Sequence, residues 1–107
     1  MKENMAMSVC GTPEYLAPEI LYKQGHGKPV DWWCLGSVIF EMMVGLPPFY
    51  SKSRAELFDK IKFGNPNLPI YLSMKLRSLL EGLFQKKPEN RLGSNGGASE
   101  IKKHPWF

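Results

Sequence analysis

The sequence predicts a small, mainly α-helical domain in which several helices surround one buried central helix. Two observations support this class. Residues 31–44 carry apolar side chains on every face of a helix, and a helix that is apolar all round is normally buried all round. Elsewhere no window sustains the apolar/polar alternation of a half-exposed strand. Gly- and Pro-rich loops separate the other periodic stretches, so we expect helices joined by loops.

The central helix is predicted to begin at Asp31 and to end at Val44. Asp31 is a favourable N-cap residue, because its carboxylate can accept the first unpaired backbone N–H groups. Gly45 follows the last apolar residue and is suited to the left-handed C-terminal position. The two prolines at 47–48 prevent continuation of the helix.

A second helix is predicted over residues 53–63. Ser53 and Glu56 have the spacing of a capping box, in which each side chain accepts the backbone N–H of the other residue. Gly64 marks the end of this helix.

Two further helices are expected in the C-terminal half. Residues 73–86 place leucines on one face, with Arg77 and Glu81 four positions apart on its flank. A short helix near 98–103 precedes residues 104–107, whose aromatic side chains are predicted to dock on the body of the domain.

Composition indicates one globular domain. The chain has 107 residues, of which 43% are hydrophobic and 22% are charged, and this excludes a disordered segment. The net charge of +4 includes no block of five like charges, so no nucleic-acid-binding arm is expected. For Lys86 and Lys87 the sequence favours cations near a helix C-terminus over a phosphate site.

Cysteine usage and hydropathy bear on the compartment. Cys10 and Cys34 are the two cysteines and lack zinc-ligand spacing, so neither a metal site nor an oxidising compartment is indicated. No apolar stretch is long enough to suggest a membrane span or a signal peptide. The expected location is the cytoplasm, with the nucleus as the alternative.

Five motifs occur in a fixed order along the chain. They are C-G-T-P-E-Y-L-A-P-E at 10–19, D-W-W-C-L-G at 31–36, G-L-P-P-F at 45–49, R-L-G at 91–93 and H-P-W-F at 104–107. Single motifs such as A-P-E are short and weakly specific, but five in this order are specific. Over residues 8–107 the chain resembles the C-lobe of AGC-group serine/threonine protein kinases. Its motif sequences are similar to those of the serum- and glucocorticoid-regulated kinases and protein kinase B.

The resemblance implies a domain organisation. Residues 1–107 would form part of a protein kinase domain, from the end of the activation segment to the end of the C-lobe, and residues 1–9 would be a mobile remnant of the activation loop. Ser8 is then a candidate phosphosite; the alternative is an unmodified loop serine.

The resemblance also implies a substrate-binding surface. The loop that receives the residue after the phosphoacceptor would consist of Gly11, Thr12, Pro13, Glu14 and Tyr15. Glu41 would bind a basic residue of the substrate. A lone carboxylate in an apolar helix needs a partner, and the alternative to a substrate cation is an internal Arg or Lys.

Two structural roles come from the same resemblance. Glu19 and Arg91 would form a buried ion pair that anchors the activation segment; the alternative is two solvated charges. Asp31 would accept backbone N–H groups of the catalytic loop in addition to capping its helix.

Catalytic elements are missing from these 107 residues. Phosphoryl transfer by a kinase uses a Gly-rich loop, the Asp of H-R-D and the Asp of D-F-G, and none of these motifs occurs here. No catalytic residue is therefore assigned, and ATP and Mg²⁺ are expected to bind only the full-length kinase. The implied partners are protein substrates with basic residues near the phosphoacceptor and an upstream activating kinase.

Three interpretations remain at this stage. The chain is the C-terminal part of a serine/threonine kinase, or a non-catalytic C-lobe module that acts by binding. The coding sequence upstream of codon 1 would separate these two. The third interpretation is a chain that folds poorly alone, because Trp32, Trp33 and the region of Met42 and Met43 would be uncovered.

Overall fold

The computed structural model describes residues 13–23 and 27–107. In these residues five α-helices are present: α1 (Pro18–Leu21), α2 (Lys28–Val44), α3 (Arg54–Phe63), α4 (Met74–Leu83) and α5 (Gly97–Lys102). Single 3₁₀ turns occur at Pro13–Tyr15 and Pro88–Asn90. The described part of the chain contains no strand, and the predicted mainly α class is confirmed.

Helix α2 lies at the centre of the core and packs against α4. Trp33 is the core of the contact: its ring stacks on Phe49 at 5.8 Å between centroids and meets Phe84 edge-on at 5.1 Å. Gly36 permits the close approach of the two helices. A Cβ atom there would lie 3.0 Å from Leu83 Cβ, which is tighter than ordinary van der Waals contact.

The start of α2 corrects one prediction. The helix begins at Lys28 with Gly27 at the N-cap, so Asp31 lies within the first turn and is exposed. The predicted N-cap role of Asp31 is therefore wrong. The helix can start earlier because Pro29 occupies its second position, where the missing N–H costs nothing and the fixed φ suits a helix. The predicted end is confirmed: Gly45 has φ +90° and donates its N–H to the Glu41 carbonyl at 2.7 Å.

Burial of α2 is less complete than its composition predicts. Trp33 is 0% exposed, so the expectation that it would be uncovered is wrong. Trp32 is half-buried and packs against the core. At the C-terminal end of the helix, Met42 is 76% exposed and Met43 is also exposed, as expected for that region.

Helix α3 has half of the predicted capping box. The Ser53 hydroxyl accepts the Glu56 N–H at 3.4 Å. The reciprocal bond is replaced, because the Glu56 carboxylate accepts the Ser51 hydroxyl at 3.0 Å and the Ser53 N–H donates to the Ser51 hydroxyl oxygen at 3.4 Å. Ser51, which lies before the helix, thus completes the cap.

Helix α4 starts at its Ser73 cap, where the hydroxyl accepts the Leu76 N–H at 3.1 Å, but it ends at Leu83 rather than at residue 86. The reason is a competing partner: the Gly82 carbonyl accepts the Leu92 N–H at 2.9 Å. The predicted flank pairing of Arg77 with Glu81 also differs. Arg77 donates to the backbone carbonyls of Leu68 and Pro69 at 3.1 and 2.8 Å.

The C-terminal aromatic residues dock in part. Trp106 packs against the core, whereas Phe107 is exposed and meets Trp106 edge-on at 5.0 Å between centroids. His104 holds this segment, because its Nδ1 accepts the Trp106 N–H at 3.1 Å. The proton must then be on Nε2, which donates to the Ser78 hydroxyl oxygen at 3.1 Å.

Candidate functional site

The 3₁₀ turn Pro13–Tyr15 lies against α2, and one hydrogen bond joins the two. The Tyr15 hydroxyl donates to the Glu41 carboxylate, and both residues are half-buried. Among the described residues, the partner of Glu41 is therefore the Tyr15 hydroxyl, and no Arg or Lys of that part of the chain forms the internal ion pair that was the alternative prediction.

The electrostatic consequence is a carboxylate that no cation among the described residues neutralises. A phenolic hydroxyl satisfies one lone pair of Glu41 without cancelling its charge, and a half-buried charge favours a nearby opposite charge. Glu14 lies in the same turn and is half-buried as well. The turn and the adjoining part of α2 thus form a locally acidic surface on a chain whose net charge is +4.

The structure does not describe every predicted site residue. Ser8, Gly11 and Thr12 lie outside the described residues, as does the segment 1–9. Of the predicted substrate-binding residues that are described, Pro13 lies in the turn, and Tyr15 and Glu41 are brought into contact. No local pattern signals that contact, since the two residues are 26 positions apart.

Glu19 and Arg91, which the resemblance pairs, are in contact in the structure. Arg91 Nη1 donates to Glu19 Oε2 at 2.7 Å and Nη2 donates to Oε1 at 3.0 Å, a two-bond arrangement of matched planar groups. The side chains are 2% exposed for Glu19 and 0% for Arg91.

Arg91 has further partners that sequence reasoning missed. Nη1 also donates to the Pro29 carbonyl at 2.8 Å, Nε to the Gln85 carbonyl at 3.0 Å and Nη2 to the Lys86 carbonyl at 3.3 Å. The guanidinium carbon lies 5.0 Å from the centroid of the Trp33 ring. One side chain therefore joins α1, the first turn of α2 and the segment after α4.

This anchoring positions the acidic surface. Helix α1 follows the turn Pro13–Tyr15 after two residues, and Glu19 is its second residue. Because Arg91 fixes Glu19 and the Pro29 carbonyl together, it holds the turn in register with α2, where Glu41 lies.

Comparison with known proteins identifies the family. The protein kinase domain model matches residues 1–107. The chain belongs to the protein kinase family.

Individual kinases refine this assignment. The chain is 53% identical to Protein kinase 2 of Dictyostelium discoideum and 52% identical to serine/threonine-protein kinase Sgk1 of Homo sapiens, each over 98 residues and 92% of this chain. It is 47% identical to Protein kinase C of Drosophila melanogaster over its full length. The predicted resemblance to AGC-group serine/threonine kinases is confirmed.

The matched region is a minor part of each relative. The chain spans 20% of the Dictyostelium kinase, 23% of human Sgk1 and 14% of the Drosophila kinase.

Within the described residues of this kinase-family chain, no group of three or more His, Cys, Asp or Glu side chains could hold a metal ion. None of the helices described is long and apolar enough to cross a membrane.

Proposed function

We propose that this chain supplies the substrate-docking and anchoring part of an ATP-dependent serine/threonine protein kinase, and that the 107 residues alone do not transfer phosphate. The observation that carries the proposal is the Tyr15–Glu41 contact, which presents a charged carboxylate beside the turn Pro13–Tyr15. The relatives support the activity of the parent enzyme, since human Sgk1 is named a serine/threonine-protein kinase.

The docking role follows from what phosphoryl transfer requires of a protein. The transition state needs little covalent help, so catalysis depends mainly on positioning the hydroxyl acceptor and stabilising charge. Thr12 would help to place the substrate hydroxyl, while Glu41, with Glu14 as a weaker candidate, would bind an Arg or Lys of the substrate. The parent kinase would then phosphorylate Ser or Thr in basic contexts.

A peptide-binding measurement tests the docking role. We expect the chain to bind a fluorescent peptide with two arginines upstream of a serine, and to bind its Arg→Gln twin more weakly. Glu41→Gln should weaken binding of the arginine peptide by about tenfold, as expected for the loss of one charge-assisted contact. Glu81→Gln, at an exposed position on α4, is the matched control and should leave binding unchanged.

An activity measurement tests the proposal that the 107 residues alone do not transfer phosphate. With ATP and Mg²⁺ supplied, phosphate transfer by the purified chain should not exceed that of a Thr12→Ala/Glu41→Ala double variant. Transfer clearly above this background would refute the proposal that the chain alone is inactive. Equal affinity for the arginine peptide and its twin would refute the docking role.

A further inference from the structure

Three lysines line one groove on the surface of the chain, at a place that the docking role does not use. The groove has a volume of about 360 Å³ and lies between α1, α3 and the segment that follows α4. We call it the lysine groove; it is lined by Pro18, Glu19, Tyr22, Lys62, Lys86, Lys87, Pro88 and Glu89. The sequence favoured a helix C-terminus as the place of Lys86 and Lys87, but α4 ends three residues before Lys86.

Lys86 contributes an excess positive charge to the interior. Its ammonium group lies 4.5 Å from the centroid of the Phe49 ring and donates to the Ile61 carbonyl. Burial, together with the neighbouring Arg91 charge, lowers the pKa of Lys86 to about 8. Cation–π contacts and a carbonyl oxygen compensate such a charge only in part.

The nearby carboxylates do not cancel this charge. Glu19 lines the groove, but both of its oxygens are bound by Arg91. The Arg91–Glu19 pair is therefore neutral, and Lys86 leaves a surplus of one positive charge beside it. Glu89 also lines the groove and is exposed, and its charge offsets that of the equally exposed Lys87, so Lys86 and Lys62 leave the groove with a net positive charge.

The other two lysines strengthen the positive potential of the same groove. The Lys62 ammonium lies 5.0 Å from the centroid of the Tyr22 ring, which holds this long side chain on the groove wall. Lys87 is exposed and adjoins Lys86 in sequence. A concave surface lined mainly by one sign of charge concentrates counter-ions of the other sign.

We propose that the lysine groove is a binding site for a phosphoryl group. A phosphate dianion presents several acceptor oxygens, and it would neutralise the surplus charge of Lys86 and one of the flanking lysines. The Lys86 ammonium gives one N–H to Ile61 and lies over the Phe49 and Trp33 rings, so it would act on such a ligand mainly through its charge, while Lys62 and Lys87 supply further donors at the groove. This proposal does not depend on the proposed function.

The first experiment uses the wild-type chain and needs no variant. Lysines are acetylated with a water-soluble N-hydroxysuccinimide ester at pH 7.5 and constant ionic strength, with inorganic phosphate replacing chloride, and each site is quantified by mass spectrometry. We expect phosphate to slow acetylation of Lys86, Lys62 and Lys87, while Lys52 and Lys75, which are exposed and outside the groove, serve as internal controls. Equal rates with phosphate and with chloride at the groove lysines would overturn the proposal.

The second experiment measures affinity directly by calorimetry. Inorganic phosphate should bind wild type, and the Lys62→Gln/Lys87→Gln variant should bind about tenfold more weakly because two cationic donors are lost. The matched control is Lys52→Gln/Lys75→Gln, which removes the same charge elsewhere. If phosphate binding is weakened equally in both variants, the effect comes from the net charge of the chain alone, and this would contradict a site in the groove.

A third arm distinguishes the source of the phosphoryl group. A neutral peptide carrying one phosphoserine is compared with inorganic phosphate and with its unphosphorylated twin. Tighter binding of the phosphopeptide than of phosphate assigns the groove to a phosphorylated protein segment, and similar binding of the two assigns it to a free anion. Binding of neither would overturn the proposal.

Discussion

Arg91 and Glu19 form a buried ion pair between residues 72 positions apart in the chain. The pair is stabilising only because its remaining donors are also satisfied, by carbonyl oxygens of Pro29, Gln85 and Lys86. Removing two charges from water is costly, and a buried pair offsets this cost only with such complete hydrogen bonding. The contact therefore depends on three separate parts of the chain having already packed together.

Replacing Glu19 by Gln should destabilise the chain by about 3–5 kcal/mol, because the Arg91 charge would remain buried without a counter-charge. The free energy of unfolding is measured by urea titration with circular dichroism. The control is Glu81→Gln at an exposed position on α4, for which a change within about 0.5 kcal/mol is expected. If Glu19→Gln and the control unfold at the same urea concentration, the pair does not contribute to stability as proposed.

Stability should rise with pH between about 8 and 10.5, with Lys86 as the source. Below the folded-state pKa of about 8, Lys86 is charged in both states, and the folded state bears the full penalty of burying that charge. Between 8 and the ordinary value of 10.5, the folded state has released the proton and the unfolded state still binds it, so raising the pH favours folding. Above 10.5 both states are neutral and the gain is complete.

The melting temperature of Lys86→Met against wild type checks this expectation. As the pH is raised from 7.5 to 10, the melting temperature of wild type should rise relative to that of Lys86→Met. Lys87→Met is the matched control at the adjacent exposed position, and its difference from wild type should be nearly constant with pH. A constant difference for Lys86→Met would contradict the assigned pKa shift.

Local signals in the sequence predicted α2 to α5, but they misplaced the start of α2 and the end of α4 and did not predict α1. Ser73 and Gly45 act as predicted because a hydroxyl cap and a left-handed glycine depend on neighbouring residues alone. The end of α4 was predicted three residues too late, because the Leu92 N–H takes the Gly82 carbonyl across a turn. The Tyr15–Glu41 bond joins residues 26 positions apart, and no local pattern encodes it. Pairing of Glu19 with Arg91 came from the family resemblance, not from periodicity.

The corrected position of Asp31 predicts a salt-dependent contribution to stability. As a first-turn residue it interacts with the helix dipole, which is worth about 0.3–1 kcal/mol and is screened by salt. Asp31→Asn should therefore lower the free energy of unfolding at low salt and have little effect in 1 M NaCl. Ser73→Ala removes a cap hydrogen bond and should cost about 1 kcal/mol at both salt concentrations. A salt-independent loss of about 1 kcal/mol for Asp31→Ala, absent in Asp31→Asn because asparagine also caps a helix, would restore the N-cap role.

Two left-handed glycines provide a matched test of packing around Trp32. Gly93 has φ +97° and Gly97 has φ +62°, so alanine is strained at either position, by about 1–2 kcal/mol. The surroundings differ. A Cβ atom at Gly93 would lie 2.6 Å from Trp32 Cδ1 and 2.9 Å from Ile101 Cδ1, whereas nothing lies within 4 Å at Gly97.

Gly97→Ala should therefore cost only the backbone strain, and Gly93→Ala should cost that strain plus about 1–3 kcal/mol for displacing the indole and Ile101. The free energies of unfolding of the two variants measure the difference directly, since the change in the unfolded chain is the same Gly→Ala step. Near-UV circular dichroism should also change for Gly93→Ala alone, because the Trp32 ring must move. Equal losses at the two positions would mean that Trp32 is not packed against Gly93 in solution.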